Sequence, residues 1–383
     1  MGGAISTDVN LPPHPVWLLV SRSVRAMACS GHKADMKLGV MDVYADADTR
    51  QWAQAWILLQ DHHPTYEPSS LLCGAERLAP VDSGCALIYG SGFERDAGLL
   101  ERLARGRTLY GNSPETLRLI NNPRCFFSLL NALDIPYPEV AYVLPQDFNT
   151  WLCKPCGGSG GVDIRPAIAA PPDEDHYYQR HLSGTACSAL FLADGQDSYL
   201  VGFNTLWTAH HLPDRPYAFA GAINRTRLTD ALKGLIRQYL ARLVASTGIK
   251  GLNSLDFIHH ADHIRVLEIN PRPSATLTLY DDDYAGGLLA WHVAACLGRL
   301  PDQPTPVGPV RAIKTFFPRA EWVVPNALSW PDWCVDRPIG GTHGQPGQPA
   351  LSLTAQGATV STVLSQLETR SQHVQKWFAT AIS

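Results

Sequence analysis

The sequence has 383 residues, of which 45% are hydrophobic, so it can form two or three structural units, each with a sizeable core. The 35 acidic and 31 basic residues give a net charge of −4, which provides no reason to expect nucleic acid or an anionic membrane as a partner. The nine scattered cysteines favour a cytoplasmic protein over a secreted disulfide framework, and no apolar stretch approaches the length of a membrane span.

The first 112 residues predict an α/β unit. We predict strands at 16–20, 37–44 and 85–89, and helices at 21–32, 49–59 and 99–105. Such alternation indicates a parallel sheet, and parallel sheets hold ligands in the loops at the carboxyl ends of their strands. The candidate substrate contacts there are Ser21, Asp46, Gly90, Ser91, Gly92 and Glu94. Roles as a helix cap and a turn residue fit Ser21 and Asp46 equally well, whereas Glu94 is suited to holding an amine.

A glycine-rich segment follows a short strand in the middle of the chain. The predicted strand Trp151–Pro155 contains Lys154 and leads into Cys156-Gly-Gly-Ser-Gly-Gly161. Consecutive backbone N–H groups in such a loop can form an anion-binding concavity, and Lys154 adds a cation at its entrance. The segment is neither a Walker A loop nor a dinucleotide fingerprint, and a flexible surface turn is the alternative. Cys153 and Cys156 fit a C-x-x-C motif, but glycines follow where a redox site would need a helix.

Two strands near residue 260 predict a hairpin with oxygen ligands on one face. The polar turn His260-Ala-Asp-His263 is so short that its flanking strands must pair antiparallel. If the turn centres on Asp262, Asp256 lies opposite Glu268, and Asn270 shares the face of Glu268. Three oxygen ligands would suit a hard cation such as Mg2+, which usually also takes substrate phosphates. A hairpin with a solvated polar face is the alternative.

The order of these motifs resembles that of the ATP-grasp superfamily. Lys154-Pro and the glycine-rich segment are followed by Gln179-x-x-x-x-Gly184 and then by Asp256…Glu268-x-Asn-x-Arg272. The acidic spacing is similar to that of the biotin carboxylase branch, and the resemblance covers roughly residues 15–300. It implies an α/β protein with the ATP-grasp fold. The expected units are an N-terminal pre-ATP-grasp domain at 1–112, an ATP-grasp domain at 113–300 with a central subdomain at about 139–200, and a C-terminal extension at 301–383 packed on the ATP-grasp domain.

The resemblance also implies a role for each matching residue. Lys154 and the loop residues Gly157, Gly158, Ser159, Gly160 and Gly161 would contact the phosphates of ATP. The backbone of Gln179, Arg180, His181 and Leu182 would read adenine, with Gln179 in place of the more usual Glu. Asp256, Glu268 and Asn270 would bind Mg2+ or Mn2+, and Arg272 would steady the reacting carboxyl group or acyl-phosphate.

One element of the family pattern is missing from this sequence. Many members carry a second ATP lysine in an Asp-Lys pair, where this chain reads Asn121-Asn-Pro-Arg-Cys-Phe-Phe127. Arg124 is a candidate to replace that charge, while Phe126 and Phe127 are expected to belong to the core.

The resemblance implies an ATP- and Mg2+-dependent ligase that joins a small-molecule carboxylate to an amine through an acyl-phosphate. The shape of the chain, with its C-terminal extension, is also similar to that of ATP-grasp ligases of one-carbon cofactor pathways, such as the tyramine–glutamate ligases. A small-molecule kinase and a nucleotide-binding module without catalysis are the alternatives. The sequence is compatible with a homodimer and leaves dimer and monomer both open.

Overall fold

The computed structural model describes residues 9–167, 175–305, 307–326 and 328–380. The elements of its first unit are β1 (Trp17–Val20), α1 (Arg25–Lys33), β2 (Leu38–Asp42), α2 (Ala47–Trp52), β3 (Ala55–Leu58), α3 (Pro68–Leu78), β4 (Ala86–Tyr89), α4 (Ala97–Ala104) and β5 (Thr108–Tyr110). The strands form a parallel sheet in the order β3-β2-β1-β4-β5. Every residue of β1, β2 and β4 is buried, as expected for the central strands of a sheet covered on both faces. The predicted α/β unit is confirmed.

The predicted helix over residues 49–59 is wrong in its second half. Helix α2 ends at Trp52, and the chain then forms β3 at the edge of the sheet. Trp56 and Leu58 are 41% and 54% exposed, so the apolar residues of this stretch do not mark the buried face of a helix. Aromatic and β-branched residues favour a strand here.

Helix α3 is not among the predicted elements, although its start is well marked. Pro68 occupies the first turn, where a missing N–H costs nothing. The carboxylate of Glu67 accepts hydrogen bonds from the N–H groups of Ser69 at 3.0 Å and Ser70 at 2.6 Å. Glutamate is not among the preferred capping residues, so this cap is easily missed in the sequence.

Two helices lead from the first unit into a small antiparallel sheet. The elements are α5 (Pro114–Asn121), α6 (Pro123–Ala132), β6 (Val140–Ala141), β7 (Trp151–Pro155), β8 (Arg165–Pro166) and β9 (His176–Arg180), with the strand order β6-β9-β7-β8. Side chains alternate across these strands. Trp151, Cys153 and Tyr178 form a small core on one face, so Lys154 and its cross-strand partner Tyr177 lie on the other.

A large antiparallel sheet forms the rest of the molecule. It begins with β10 (Thr185–Asp194), β11 (Ser198–Thr208), β12 (Phe219–Ile223), α7 (Asp230–Thr247), β13 (Lys250–His260) and β14 (His263–Asn270). Helix α7 packs its apolar side chains, including Ile236 and Leu240, onto the face that carries Phe191 and Phe257. The opposite face is left for the polar side chains of the hairpin.

The hairpin of β13 and β14 has the predicted pairing of Asp256 with Glu268, but for a reason that was not predicted. His260 pairs with His263, so the turn is centred between Ala261 and Asp262. A β-bulge between Asp256 and Phe257 then shifts the register by one residue. Without that bulge, Asp256 would lie opposite Leu267, and Glu268 would not face it.

The C-terminal extension adds strands to this same sheet. After α8 (Gly287–Cys296), the elements of the extension are β15 (Val310–Phe316), β16 (Trp322–Val323), β17 (Cys334–Val335), β18 (His343–Gly344), β19 (Leu351–Gly357) and α9 (Val360–Thr380). The sheet has the order β14-β13-β10-β11-β12-β15-β19-β17. The expected packing on the ATP-grasp domain is therefore confirmed, and three strands of the extension continue its backbone hydrogen bonding.

Asn112 connects the two large units next to the end of the hairpin. Its Nδ2 donates to the carbonyl oxygen of Pro271 at 2.9 Å, and its Oδ1 accepts from the N–H of Lys250 at 2.8 Å. The hydroxyl of Tyr89, at the carboxyl end of β4, donates to the carbonyl oxygen of Asn112. These bonds hold the residues after β14 beside the loop after β4. Within the described ranges, no helix combines the length and the apolarity that crossing a membrane requires.

Candidate functional site

The two hairpin carboxylates form an electrostatically strained pair. The surrounding protein removes water from Asp256, and this desolvation, followed by repulsion from Glu268, raises the pKa of Asp256 to about 8. Asn270 Nδ2 donates to Asp256 Oδ2 at 3.1 Å, and Glu268 is paired with Asp256 across the hairpin. In the described part of the chain, no group of three or more His, Cys, Asp or Glu side chains could hold a metal ion. A cation here would therefore bind two carboxylates and an amide oxygen, a donor set that suits Mg2+.

Arg272 joins three separate parts of the site. Its Nε donates to Glu94 Oε1 at 2.7 Å, and its Nη2 donates to Ser159 Oγ and Asn270 Oδ1, each at 3.1 Å. The side chains of Arg272 and Glu94 are only 10% and 9% exposed. A desolvated guanidinium has a strong preference for carboxylate or phosphate oxygens. Arg272 therefore lies between the loop after β4, the glycine-rich segment and the hairpin.

Lys154 is a buried cation that faces the hairpin carboxylates. Its Nζ donates to Gln179 Oε1 at 3.2 Å and lies 3.8 Å from Glu268 Oε2. Burial lowers the pKa of Lys154, but Tyr177 and Glu268 outweigh that effect, so the pKa is raised overall. The ammonium group consequently stays charged at neutral pH.

The glycine-rich segment is closely packed against both large units. A Cβ atom on Gly161, whose φ is +69°, would lie 2.2 Å from the carbonyl oxygen of Tyr217. The carbonyl oxygen of Gly160 accepts a hydrogen bond from Phe219 N–H at 2.9 Å. His63 Nε2 lies 2.8 Å from Asp163 Oδ2, across to the first unit. The loop thus covers the cleft, and a side chain at Gly161 would collide with the backbone of Tyr217.

The cleft beneath this loop is lined by residues from three predicted motifs and by some that were not predicted. Its walls include Glu94, Lys154, Gly157, Gly158, Ser159, Gly161, Glu268 and Asn270. The predicted core residues Phe126 and Phe127 are each 3% exposed and also line the cleft. Tyr177 and Asn121 were missed as lining residues. The alternation of β9 could have identified Tyr177, because it shares a face with Gln179.

The predicted adenine-reading residues Gln179, Arg180, His181 and Leu182 are not among the lining residues of this cleft in the described chain. Gln179 contacts the lining residue Lys154, whose Nζ donates to Gln179 Oε1. Arg180 N–H donates to Glu139 O at 2.8 Å, and His181 N–H donates to Thr150 O at 2.9 Å.

Arg124 does not take the place of the missing lysine in this structure. Its guanidinium lies 3.9 Å from the ring centroid of Tyr142, and it is not a lining residue in the described chain. This segment does contribute the lining residue Asn121, whose buried Nδ2 has no hydrogen-bond partner in the described structure. A buried donor without a partner costs free energy, so this atom is a candidate ligand contact.

The predicted contacts of the first unit divide into two groups. Ser91 N–H donates to Ser21 Oγ at 3.1 Å, and Gly92 N–H donates to Glu94 Oε2 at 2.6 Å, so these residues support the Glu94 side of the site. Asp46 lies elsewhere, with Asp336, Asp42 and Asp48. Burial, followed by repulsion from Asp336, raises the pKa of Asp46 well above its usual range.

Comparisons with known proteins agree with this geometry. Residues 121–276 match the family model described as an ATP-grasp domain. The fold is similar to the biotin carboxylase domain of Hydrogenobacter thermophilus 2-oxoglutarate carboxylase, with a TM-score of 0.71 and 12% identity over 92% of this chain and 88% of that one. It is similar to Campylobacter jejuni biotin carboxylase, with a TM-score of 0.67 and 12% identity over 91% and 89% of the two chains.

A second group of enzymes shares the arrangement. The N5-carboxyaminoimidazole ribonucleotide synthetase of Thermotoga maritima has a TM-score of 0.64 and 14% identity, over 93% of this chain and 98% of that one. At such low identity these likenesses show the fold alone. The chain thus has the ATP-grasp fold, and residues 121–276 match the ATP-grasp domain model.

Proposed function

We propose that this protein is an ATP- and Mg2+-dependent ligase that joins a carboxylate to an amine. The observation that carries the proposal is the position of Arg272, which contacts the glycine-rich segment, the hairpin and Glu94 at once. A cation at the meeting point of a phosphate loop, a metal-ligand face and a substrate loop can stabilise charge that moves between them. Binding modules have no need of such an arrangement.

The phosphates of ATP would lie under residues 157–161, with the ammonium of Lys154 beside them. Backbone N–H groups of the loop and this buried cation supply the positive field that a triphosphate needs. Asp256, Glu268 and Asn270 would hold Mg2+, which would supply positive charge that stabilises the phosphates of ATP. The raised pKa of Asp256, caused by desolvation and then by repulsion from Glu268, supports this assignment, because a bound cation would favour the ionised carboxylate against both effects.

The chemistry would proceed in two balanced steps. An oxygen of the substrate carboxylate attacks the γ-phosphorus of ATP, so that ADP leaves and an acyl-phosphate forms. The amine then attacks the acyl carbon, inorganic phosphate leaves, and the amine loses a proton. Arg272 would hold the substrate carboxylate in place of Glu94, because one guanidinium cannot make its strongest hydrogen bonds to both carboxylates at the same time. Glu94 would then be free to hold the amine, and no covalent attachment to the protein is needed.

We extend the proposal to the substrate class and the assembly. Small amino-acid-like carboxylates such as glutamate, joined to aromatic amines, are the first candidates, as in the synthesis of one-carbon cofactors. A homodimer is also proposed, since the biotin carboxylase domain of H. thermophilus is described as a dimer. Gel filtration with light scattering tests the assembly.

Product analysis tests the proposed reaction. The protein is incubated with ATP, Mg2+ and a panel of carboxylates and amines, including glutamate with aromatic amines, and ADP, phosphate and amide are measured. Glu268→Ala and Arg272→Ala run beside the wild type. ADP and amide that form together and disappear in both variants would support the ligase. A phosphoester with ADP would assign phosphoryl transfer instead, and ATP binding without turnover of any pair would favour a binding module.

A further inference from the structure

The glycine-rich segment is bonded to the first unit at its far end. His63 lies in the loop between β3 and α3, and its Nε2 is 2.8 Å from Oδ2 of Asp163. Asp163 follows two residues after Gly161 and lines the cleft. A carboxylate has only acceptors, so Nε2 of His63 carries a hydrogen and donates it. A side chain of the first unit thus holds the end of the segment that covers the cleft.

The near end of the segment also touches the first unit, and its middle is bonded to the large sheet. A Cβ atom on Gly157 would lie 2.6 Å from the carbonyl oxygen of Glu94, so the two backbones are in close contact. The carbonyl oxygen of Gly160 accepts from Phe219 N–H at 2.9 Å. The segment therefore spans the gap between two units, and it can lift from the cleft only by breaking contacts with both.

His63 is attached to the loops that carry the candidate substrate contacts. Asp61 Oδ1 accepts from the N–H of His63 at 3.0 Å and from Arg22 Nη2 at 2.7 Å. Arg22 follows β1, and its own N–H donates to the carbonyl oxygen of Ser91, after β4, at 3.1 Å. Both loops leave the carboxyl ends of parallel strands, where such sheets hold ligands. The contact with Asp163 therefore joins the substrate loops to the loop over the nucleotide.

The strength of this contact suits a bond that must break in each catalytic cycle. The side chains of His63 and Asp163 are 31% and 38% exposed, so water competes for both groups. Exposed pairs of this kind contribute little to stability compared with buried ones. A covering loop has to open for product to leave, and a contact of modest strength permits that opening.

We propose that His63 is a latch, meaning a reversible contact that holds the glycine-rich segment closed over the cleft and so slows the release of nucleotide. The inference rests on the proposed function, because the cleft beneath the segment is the proposed nucleotide site. His63 acts through Asp163, so it is a positioning residue. Nucleotide release would then depend on a loop of the first unit, the unit that also carries the candidate substrate contacts.

Hydrogen exchange measures the contact on the full chain without any ligand. The bond from Phe219 N–H to Gly160 O protects this amide, so its exchange with solvent deuterium reports opening of the segment. Ala209 N–H, which donates to Ala218 O at 2.8 Å, is the internal reference for the adjoining strands. We expect His63→Leu to speed exchange at Phe219 about fourfold and to leave Ala209 unchanged, because the lost contact favours the open segment.

Two further variants separate the latch from a general disturbance of this loop. His63→Gln keeps a side-chain donor for Asp163, and His62→Leu changes the neighbouring exposed histidine, whose Nε2 lies 3.3 Å from Gln60 Oε1. Both should exchange at Phe219 within about 1.5-fold of the wild type. Asp163→Asn added to His63→Leu should cause no further increase, because the two side chains act through one contact.

The release of a fluorescent ATP analogue, bound with Mg2+ and displaced by excess ATP, completes the test. We expect its dissociation rate constant to rise about fourfold in His63→Leu and to stay unchanged in His62→Leu. Equal exchange at Phe219 in the wild type and His63→Leu would overturn the latch and leave the nucleotide site standing. Faster exchange with unchanged release would overturn the retention of nucleotide. Failure of the analogue to bind the wild type would overturn the nucleotide site and the retention with it, while the exchange data alone decide whether His63 holds the segment.

Discussion

Arg272 Nε donates to Glu94 Oε1 at 2.7 Å, although 178 residues separate the two along the chain. The contact joins the loop after β4 to the segment after β14, and it is shielded from water. A shielded pair of this kind is costly to break on one side only. The proposed exchange of Glu94 for a substrate carboxylate avoids that cost, because the arginine is never left without an anion.

Replacing the planar guanidinium with a point charge tests this role. Arg272→Lys keeps the charge but cannot contact Glu94, Ser159 and Asn270 together, so we expect kcat to fall about 100-fold with the nucleotide Kd nearly unchanged. Steady-state kinetics and calorimetry give the two quantities. Arg265→Lys, on the same hairpin, is the control, since its Nη1 donates to the adjacent carbonyl oxygen of Ile264. Equal losses in both variants would argue against a specific role for Arg272.

The hairpin trio predicts a specific response to divalent cations. Mg2+ with nucleotide should raise the Tm of the wild type and should raise it much less in Asp256→Asn and Glu268→Gln, because each variant removes a carboxylate ligand. Asp262→Asn changes the exposed turn of the same hairpin and serves as the control. A thermal shift that persists in both ligand variants would place the cation elsewhere.

The segment that lacks the family lysine gives a third prediction. Asn121→Asp places a carboxylate where Asn121 now offers a buried donor to the cleft, so nucleotide affinity should fall about 30-fold. Arg124→Ala removes a side chain that stacks on Tyr142 and should change affinity less than about threefold. Calorimetry with ATP and Mg2+ measures both. The reverse order of effects would show that Arg124 moves into the site when nucleotide binds.

Two glycines of the covering loop differ in a way that mutagenesis can use. Gly160 and Gly161 both have positive φ, but a Cβ on Gly160 would meet only Val162 at 3.9 Å, whereas one on Gly161 would collide with Tyr217 O at 2.2 Å. Gly161→Ala should therefore displace the loop and reduce kcat about 10-fold more than Gly160→Ala, with both variants folded by circular dichroism. Similar kcat values in the two variants would mean that backbone strain, and not the position of the loop, sets the effect.

His292 predicts a pH dependence of stability outside the site. Burial lowers the pKa of His292 to about 4, and its Nδ1 accepts a hydrogen bond from Leu252 N–H at 2.8 Å. Below the unfolded pKa of about 6.5, the unfolded chain binds a proton that the native state excludes. The effect of His292 on stability is therefore absent above pH 6.5, and the free energy of unfolding falls by about 3 kcal/mol as the pH drops toward 4. Denaturant unfolding across this range should show a smaller slope for His292→Gln, whereas the exposed His32→Gln should match the wild type.

Local patterns in the sequence predicted which side chains of the hairpin lie together, because strand alternation and short turns restrict which side chains can meet. The pairing of Asp256 with Glu268 is the best example, although it depends on a bulge that has no sequence mark. Local patterns could not predict contacts that join distant segments, such as the one between Arg272 and Glu94 and the addition of β15 to the sheet. The edge strand β3 was not predicted, because its exposed Trp56 and Leu58 resemble the apolar face of a helix in the sequence.

The transfer of one oxygen atom tests the central claim most directly. A substrate carboxylate labelled with 18O is incubated with ATP, Mg2+ and the amine found in the product screen, and the inorganic phosphate is analysed by mass spectrometry. If an acyl-phosphate forms, cleavage at the acyl carbon leaves one labelled oxygen in the phosphate. The account predicts 18O in phosphate in proportion to amide formed, and its loss in Arg272→Lys along with the product. Amide accompanied by unlabelled phosphate would contradict activation of the carboxylate by ATP.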